Sequence, residues 1–320
     1  MKISDILKNS RNVASKGLHY GVYMTVLAVL IVLPYTGFVP RLSLLFYLFM
    51  FIIGAQSFNI MGGYTGYVCF GHVAFIGAGA YITAVLMARM MISPYLAIVA
   101  AGIGSMVLAV IIGYPCLRLR GAYFAIATLS INEAIKVLIL YLPEEWVGGY
   151  YGITLPPIYT PVECYYSMLG LMLATIIVTY RVVNSKLGFG LVAIREDEDA
   201  AEFVGIDTTK CKILAFMLSA FFAGVAGGID AWFTTYIEPY GAFGIPKTTE
   251  MIAMCMFGGA GTIAGPILGS AILFLVGDFL WARLPYLHMI IFSVIILVVV
   301  LFMPQGLMGW LKDKYFKILR

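Results

Sequence analysis

Apolar runs of about 20 residues recur along almost the whole of this sequence, and they decide the solvent in which it folds. A run of that length crosses the roughly 30 Å hydrocarbon core of a bilayer as a helix. Hydrophobic residues make up 62% of 320, and the mean hydropathy is +0.97. The expected fold is therefore an all-α polytopic integral membrane protein of about 8–10 transmembrane helices, with glycine-rich broken or re-entrant segments. Membrane lipid is its first partner. The net charge of +4 sits in short loops and at the ends, where it sets orientation, and does not point to nucleic acid.

Charge gives the topology. Lys2, Lys8, Arg11 and Lys16 precede the apolar run 21–38, so residues 1–17 are expected in the cytoplasm and 18–320 form a single transmembrane domain. Residues 42–60 return. After the span 95–115, the loop 117–121 carries Arg118 and Arg120 and is expected to be cytoplasmic. Residues 122–142 cross again. The following stretch, 143–163, has aromatics and no Lys or Arg, as suits an outer loop. Spans follow at 164–183 and 213–236, with an outer loop at 237–249. A single crossing at 250–276 would leave Lys312, Lys314, Lys317 and Arg320 outside after a final span at 287–302. A broken, re-entrant segment keeps them inside, so both termini are expected to be cytoplasmic.

Two glycine-rich stretches interrupt the spans. Residues 61–81 carry Gly62, Gly63, Gly66, Gly71, Gly77 and Gly79, and residues 257–270 read FGGAGTIAGPILGS. In a membrane such density serves either close helix packing or an unwound backbone that lines a cavity. The pairs Gly62-Gly63 and Gly258-Gly259 lie 196 residues apart, and paired interruptions of this kind mark a transport site between repeats. Gly62, Gly63, Gly66, His72, Glu133, Gly258, Gly259 and Gly261 are the candidate translocation path. Glu133 is an intramembrane carboxylate that needs a partner, whether on a water-filled path or in a structural hydrogen bond. His72 either bonds its surroundings or meets the permeant.

Absent chemistry narrows the function. No G-x-x-x-x-G-K-[ST] loop is present, so the chain cannot by itself couple ATP hydrolysis to work. H-E-x-x-H and G-x-S-x-G are missing, and Glu133, Asp230, Glu250 and Asp278 are dispersed, so an enzyme is not expected. Cys69, Cys116, Cys164, Cys211 and Cys255 are scattered without metal-ligand or disulfide spacing.

Against this background, residues 188–206, GFGLVAIREDEDAAEFVGI, form a polar island with five consecutive charges at 195–199, in a chain only 11% charged. Each ion at the bilayer centre would cost about 2.5–3.5 kcal/mol, so the island lies in water, within a cytoplasmic segment at 184–212. As a helix over 193–204 it aligns Ala193, Ile194, Ala200, Ala201 and Val204 along one side, interrupted by Asp197, with Glu196, Glu198 and Glu202 elsewhere. Gly205 suits the helix end, and Asp207 or Thr208 suits the cap of the next span. Either this is a solvated connector, or the small pair Ala200-Ala201 beside a charged rim docks into another protein's groove.

Several motifs together resemble one family. GGYTGYVCFGHVAFIGAGAY, LRLRGAYFAIATLSINEAIKVL, AIREDEDAAEFVGI and FGGAGTIAGPILGS occur in order over about 250 residues, and each is similar to an element of the LivM-type permeases, membrane subunits of ATP-binding cassette importers for branched-chain amino acids. The resemblance implies import of leucine, isoleucine and valine. It also implies a homologous second permease subunit, two cytoplasmic ATPase subunits and an extracytoplasmic substrate-binding protein. ATP and Mg would be used by those partners, with no cofactor bound by this chain. It places ATPase docking on Arg195, Glu196, Asp197, Glu198, Ala200, Ala201 and Gly205. Relatives that serve urea share much of the pattern, and a stand-alone transporter or channel coupled to ions through Glu133 or His72 is the rival of a different class.

Overall fold

A computed structural model of the chain describes residues 28–36, 39–156, 160–284 and 306–310, with isolated positions at 25 and between 286 and 297. The chain divides into two compact units, residues 1–45 and 46–320. In the first, a 3-10 turn at Leu33–Thr36 is followed by the start of helix α1, Val39–Phe58. Most of the expected first span, the expected final span and both termini lie outside the described residues.

The second unit is helical. After α1 come α2 (His72–Met90), α3 (Pro94–Cys116), α4 (Ala122–Tyr141), α5 (Pro161–Val183), the short α6 (Lys186–Glu196) and α7 (Glu198–Phe203), then α8 (Thr208–Thr234), α9 (Ile245–Gly258) and α10 (Ala264–Arg283). Among the described residues, seven helices are long and apolar enough to cross a membrane. Proline stands in the first turn of α3, α5 and α9, where its missing N–H removes no intrahelical bond. The expected outer loops carry structure of their own: β1 (Ile153–Thr154) pairs antiparallel with β2 (Tyr236–Ile237), and one-turn helices form at Glu144–Val147 and Pro239–Ala242.

Glycine sets the core. Lipid tails are as apolar as leucine, so helices in a bilayer gain most where small residues let backbones approach. α8 packs against α2 and α3 in this way. A Cβ at Gly79 would overlap the carbonyl oxygen of Gly224, one at Gly227 would overlap that of Ile76, and one at Gly228 would lie 2.5 Å from Thr83 Oγ1. The later glycines of the 61–81 stretch thus serve packing, while the earlier ones break the helix. Together with the span Leu42–Gly63, 78% buried, α2 and α8 are interior, at 61% and 67%, whereas α4 and α10 bury 22% and 28% and turn most of their surface outward.

The expected break within 250–276 is present: α9 and α10 form an antiparallel pair that turns at 259–263, where Gly269 abuts Met254 and Gly258, while Gly265 abuts Gly258 and Gly259. One expectation is corrected. The island is not one helix over 193–204, because Asp197 takes an extended backbone (φ −159°, ψ 114°) and separates α6 from α7.

Replacing Gly79 by Ala is expected to destabilise the fold by about 1–3 kcal/mol, since a methyl group must push two backbones apart. The unfolding midpoint in detergent would drop. Gly170→Ala, where nothing lies within 4 Å of the added carbon, would leave it unchanged or raise it.

Candidate functional site

The first break begins where α1 passes into a π-helical turn, Asn59–Gly63, the kind of helical irregularity often found at functional sites. The backbone leaves helical geometry at Gly66, with φ +78°, and regains it at His72. Freed polar groups at this depth need partners, and a buried carboxamide supplies them. Asn59 Nδ2 donates to the Thr262 carbonyl at 2.8 Å, and Asn59 Oδ1 accepts from the Gly261 N–H at 2.8 Å. A Cβ at Gly63 would lie 2.7 Å from the Gly261 nitrogen. The two glycine motifs, remote in sequence, therefore meet backbone to backbone. Asn59 was not among the residues singled out from the sequence, although an amide in an apolar run three residues before a Gly-Gly pair is a readable signal.

The island reaches this junction through Arg195, in the last turn of α6. Its Nη1 donates to the Gly63 carbonyl at 2.7 Å, and a Cβ at Gly261 would come within 2.5 Å of the same nitrogen. A charge-assisted bond thus ties the polar segment to the first break, with the guanidinium lying against the second.

Beyond Arg195 the chain is organised by two carboxylates. Asp197 caps α7 by accepting from the Ala200 N–H at 3.0 Å, which is why the extended residue interrupts the expected helix here. Glu198 then gathers three other segments. Its Oε1 lies 2.6 Å from Lys212 Nζ on α8, and its Oε2 accepts from the Tyr67 hydroxyl of the first break. Lys212, 3% exposed, also donates to the Leu117 carbonyl at 3.0 Å. Arg120 of the same loop forks onto Asp199 at 3.0 and 2.8 Å. A cavity of about 390 Å³ opens between Arg118, Arg120, Glu198, Glu202 and Lys212.

Burial alone would raise the Glu198 carboxyl, but the hydrogen bonds from Lys212 and Tyr67 and the charges of Lys212 and Arg120 outweigh it, leaving it below the usual carboxylate range. The Tyr67 phenol is pushed up, first by burial and then by its bond to Glu198.

These contacts sort the expected docking residues. Glu198 and Ala201 face inward, with Ala201 4% exposed, so substituting them tests how the segment is held. Ile194 is buried too. Glu196, Asp197 and Ala200 face out, and Val204, expected on the apolar side, is 82% exposed beside Phe203 at 95%. Gly205, at φ +91°, ends α7 in a Schellman turn in which the Ile206 N–H bonds the Ala201 carbonyl at 3.0 Å. Asp207 caps α8 by accepting from the Lys210 N–H.

Of the candidate path residues, Gly62, Gly63 and Gly66 belong to the first break and Gly258, Gly259 and Gly261 to the second. His72 is buried at the start of α2, its ring nitrogen 2.9 Å from Ser57 Oγ and its ring nearly perpendicular to those of Phe58 and Phe75. Glu133 stands apart on α4, ion-paired with Lys136, whose ammonium lies over the Tyr240 ring. Among the described residues no hydrogen bond or ion pair joins Glu133 to the glycine junction.

Lys212→Met is expected to strand Glu198 and loosen α7 from α8, speeding amide exchange over 198–203 by at least about tenfold, from the loss of a hydrogen bond between charged groups. Adding Glu198→Gln should recover part of the protection. Because the Glu198 pKa is lowered on folding, its stabilisation is present at neutral pH and is lost as pH falls through that lowered value.

The comparisons with known proteins follow the same lines. Residues 41–300 match the family described as the permease component of a branched-chain amino acid transport system. The high-affinity branched-chain amino acid transport system permease protein LivM of Salmonella typhimurium is 27% identical over 289 residues, 81% of this chain and 68% of that protein. LivH of Escherichia coli, another permease protein of that system, is 26% identical over 283 residues, 80% of this chain and 90% of its own. A probable LivM of Methanocaldococcus jannaschii is 29% identical over 181 residues, 54% and 52% of the two chains. No solved structure matches. Such permeases are transport components and not enzymes, and a match covering most of the chain, on a fold of apolar spans joined at two glycine breaks, settles the family: this is a multi-pass membrane protein belonging to the branched-chain amino acid transport permeases.

Proposed function

We propose that the chain is one membrane subunit of an ATP-driven importer that carries leucine, isoleucine and valine across the cytoplasmic membrane. It pairs with a homologous second permease, receives substrate from an extracytoplasmic binding protein, and is worked by two ATPase subunits that hold ATP and Mg. Residues 18–320 act as the permease domain, 184–212 as its coupling segment and 1–17 as a cytoplasmic extension. The end carrying the 117–121 loop and the island faces the cytoplasm, with both termini, in keeping with its arginines and lysines.

The observation that carries this reading is the bond from Arg195 to the Gly63 carbonyl, at the point where Gly63 meets Gly261. The ATPases dock on the outward surface of the island, around Glu196, Ala200, Phe203 and Val204. Their closure on ATP moves α6 and α7, and Arg195 transmits that movement to the junction where the two breaks bear on each other. Glu198 and Lys212 keep the segment stiff enough to act as a lever, while the glycines let the backbone change course without side-chain obstruction.

The importer reconstituted in proteoliposomes should take up leucine only with ATP inside. Arg195→Gln is expected to leave the subunits assembled and to lower uptake at least about tenfold, the loss of one charge-assisted hydrogen bond. Phe203→Ser should weaken co-purification of the ATPases. Ion-driven flux through the isolated chain, or uptake of urea in place of leucine, would overturn the assignment.

A further inference from the structure

One ionic group plays no part in the coupling just described. At the end of α8 remote from the island, Asp230 faces Lys247 in the first turn of α9. Their closest approach, Lys247 Nζ to Asp230 Oδ2, is 3.7 Å, which is beyond hydrogen-bonding distance. Asp230 Oδ1 is buried with no hydrogen-bond partner. Among the described residues the Lys247 ammonium has no partner besides Asp230. Leaving a buried carboxylate oxygen unsatisfied is costly, and a pair meant only to join two helices would close to contact. The site is also reachable: the Lys247 side chain is 36% exposed and that of Asp230 14%. One helical turn beyond Asp230, Phe233 stacks on Phe46 at 4.1 Å with Tyr47 against its edge, which forms an apolar wall beside the charges.

We propose that Asp230 and Lys247 bind the two charged ends of a free α-amino acid, Asp230 taking the ammonium and Lys247 the carboxylate, with a branched aliphatic side chain against Phe233 and Tyr47. The inference rests on the amino-acid import reading and adds the recognising residues to it. A ligand with both charges satisfies both partners, whereas urea, a simple amine or a carboxylic acid leaves at least one of them unsatisfied, so the pair selects zwitterions within the permease itself.

The test uses the assembled importer in proteoliposomes, with Cys211, which is not fully buried, changed to Ala. Lys247→Cys and Asp230→Asn should each assemble and reduce leucine uptake at least about tenfold, the loss of one hydrogen bond to a charged group. Reaction of the Lys247→Cys thiol with aminoethyl methanethiosulfonate forms a mixed disulfide, with methanesulfinate leaving, which restores an ammonium and is expected to restore uptake. Saturating leucine should slow that reaction, and urea should not. An identical reaction rate with and without leucine overturns the site. The exchanged pair, Asp230→Lys with Lys247→Asp, decides independently of the cysteine variant. Wild-type uptake would mean that the two residues merely hold α8 to α9, and assembly without uptake supports the site. If the wild-type complex imports urea but none of the three amino acids, the import reading fails first and this proposal falls with it.

Discussion

Hydrocarbon offers no hydrogen bonds, so a helix may be interrupted in a membrane only where the protein itself satisfies the freed backbone. That constraint governs the junction on which this structure turns. One buried carboxamide, Asn59, accepts from Gly261 and donates to Thr262, joining the turn after α1 to the turn after α9. Remove the glycines and the backbones cannot approach; remove the amide and the breaks lose the groups that make them tolerable. The coupling proposed above depends on this, since Arg195 finds a free carbonyl at Gly63 only because the helix has already ended there.

The island answers the opposite problem. Its charges belong in water, yet a lever must be fixed to what it moves. Glu198 resolves this by drawing Tyr67, Lys212 and, more loosely, Arg120 onto one side chain, so the first break, α8 and the 117–121 loop all hold α7. The exposed Asp199 fork adds little on its own, because solvent screens it. The buried Lys212 contact matters more: an ammonium at 3% exposure cannot be abandoned by its carboxylate without a large penalty. Stiffness in the lever therefore comes from the carboxylate that the sequence offered as a docking group.

Much of this is legible in the amino-acid sequence. Apolar runs of spanning length, the arginines of the 117–121 loop and the polar island at 188–206 each correspond to an element with close to the expected bounds, because each rests on a local physical rule. The echo of Gly62-Gly63 in Gly258-Gly259 foreshadowed the junction. What the sequence hid was pairwise. Asn59 and Lys212 act through partners about 200 and 14 residues away, and no periodicity announces such contacts. The island's helical pattern also misled, since the propensity of 193–204 for helix ignored Asp197, whose side chain competes for the backbone and restarts the helix one residue later. Glu133 looked like a costly intramembrane charge, and its partner, Lys136, stood one turn along the same helix.

α9 joins the two ends of the proposed mechanism. It carries Lys247 in its first turn and Gly258 at its last position, 14 residues in all, or roughly 21 Å of unbroken helix. A helix of that length moves as a body, so a displacement of the glycine junction driven through Arg195 changes the spacing between Lys247 and Asp230 at its far end. Binding free energies are reciprocal: whatever factor ATP closure applies to amino-acid affinity at that pair, the amino acid applies to closure. In the proposed cycle the loose 3.7 Å pair is the half in which a zwitterion can meet both charges from beside them, and drawing the two residues into contact would release it. In an importer built this way the driving free energy comes from ATP closure, and the exchange of one ion-pair partner for another sets when the substrate is held.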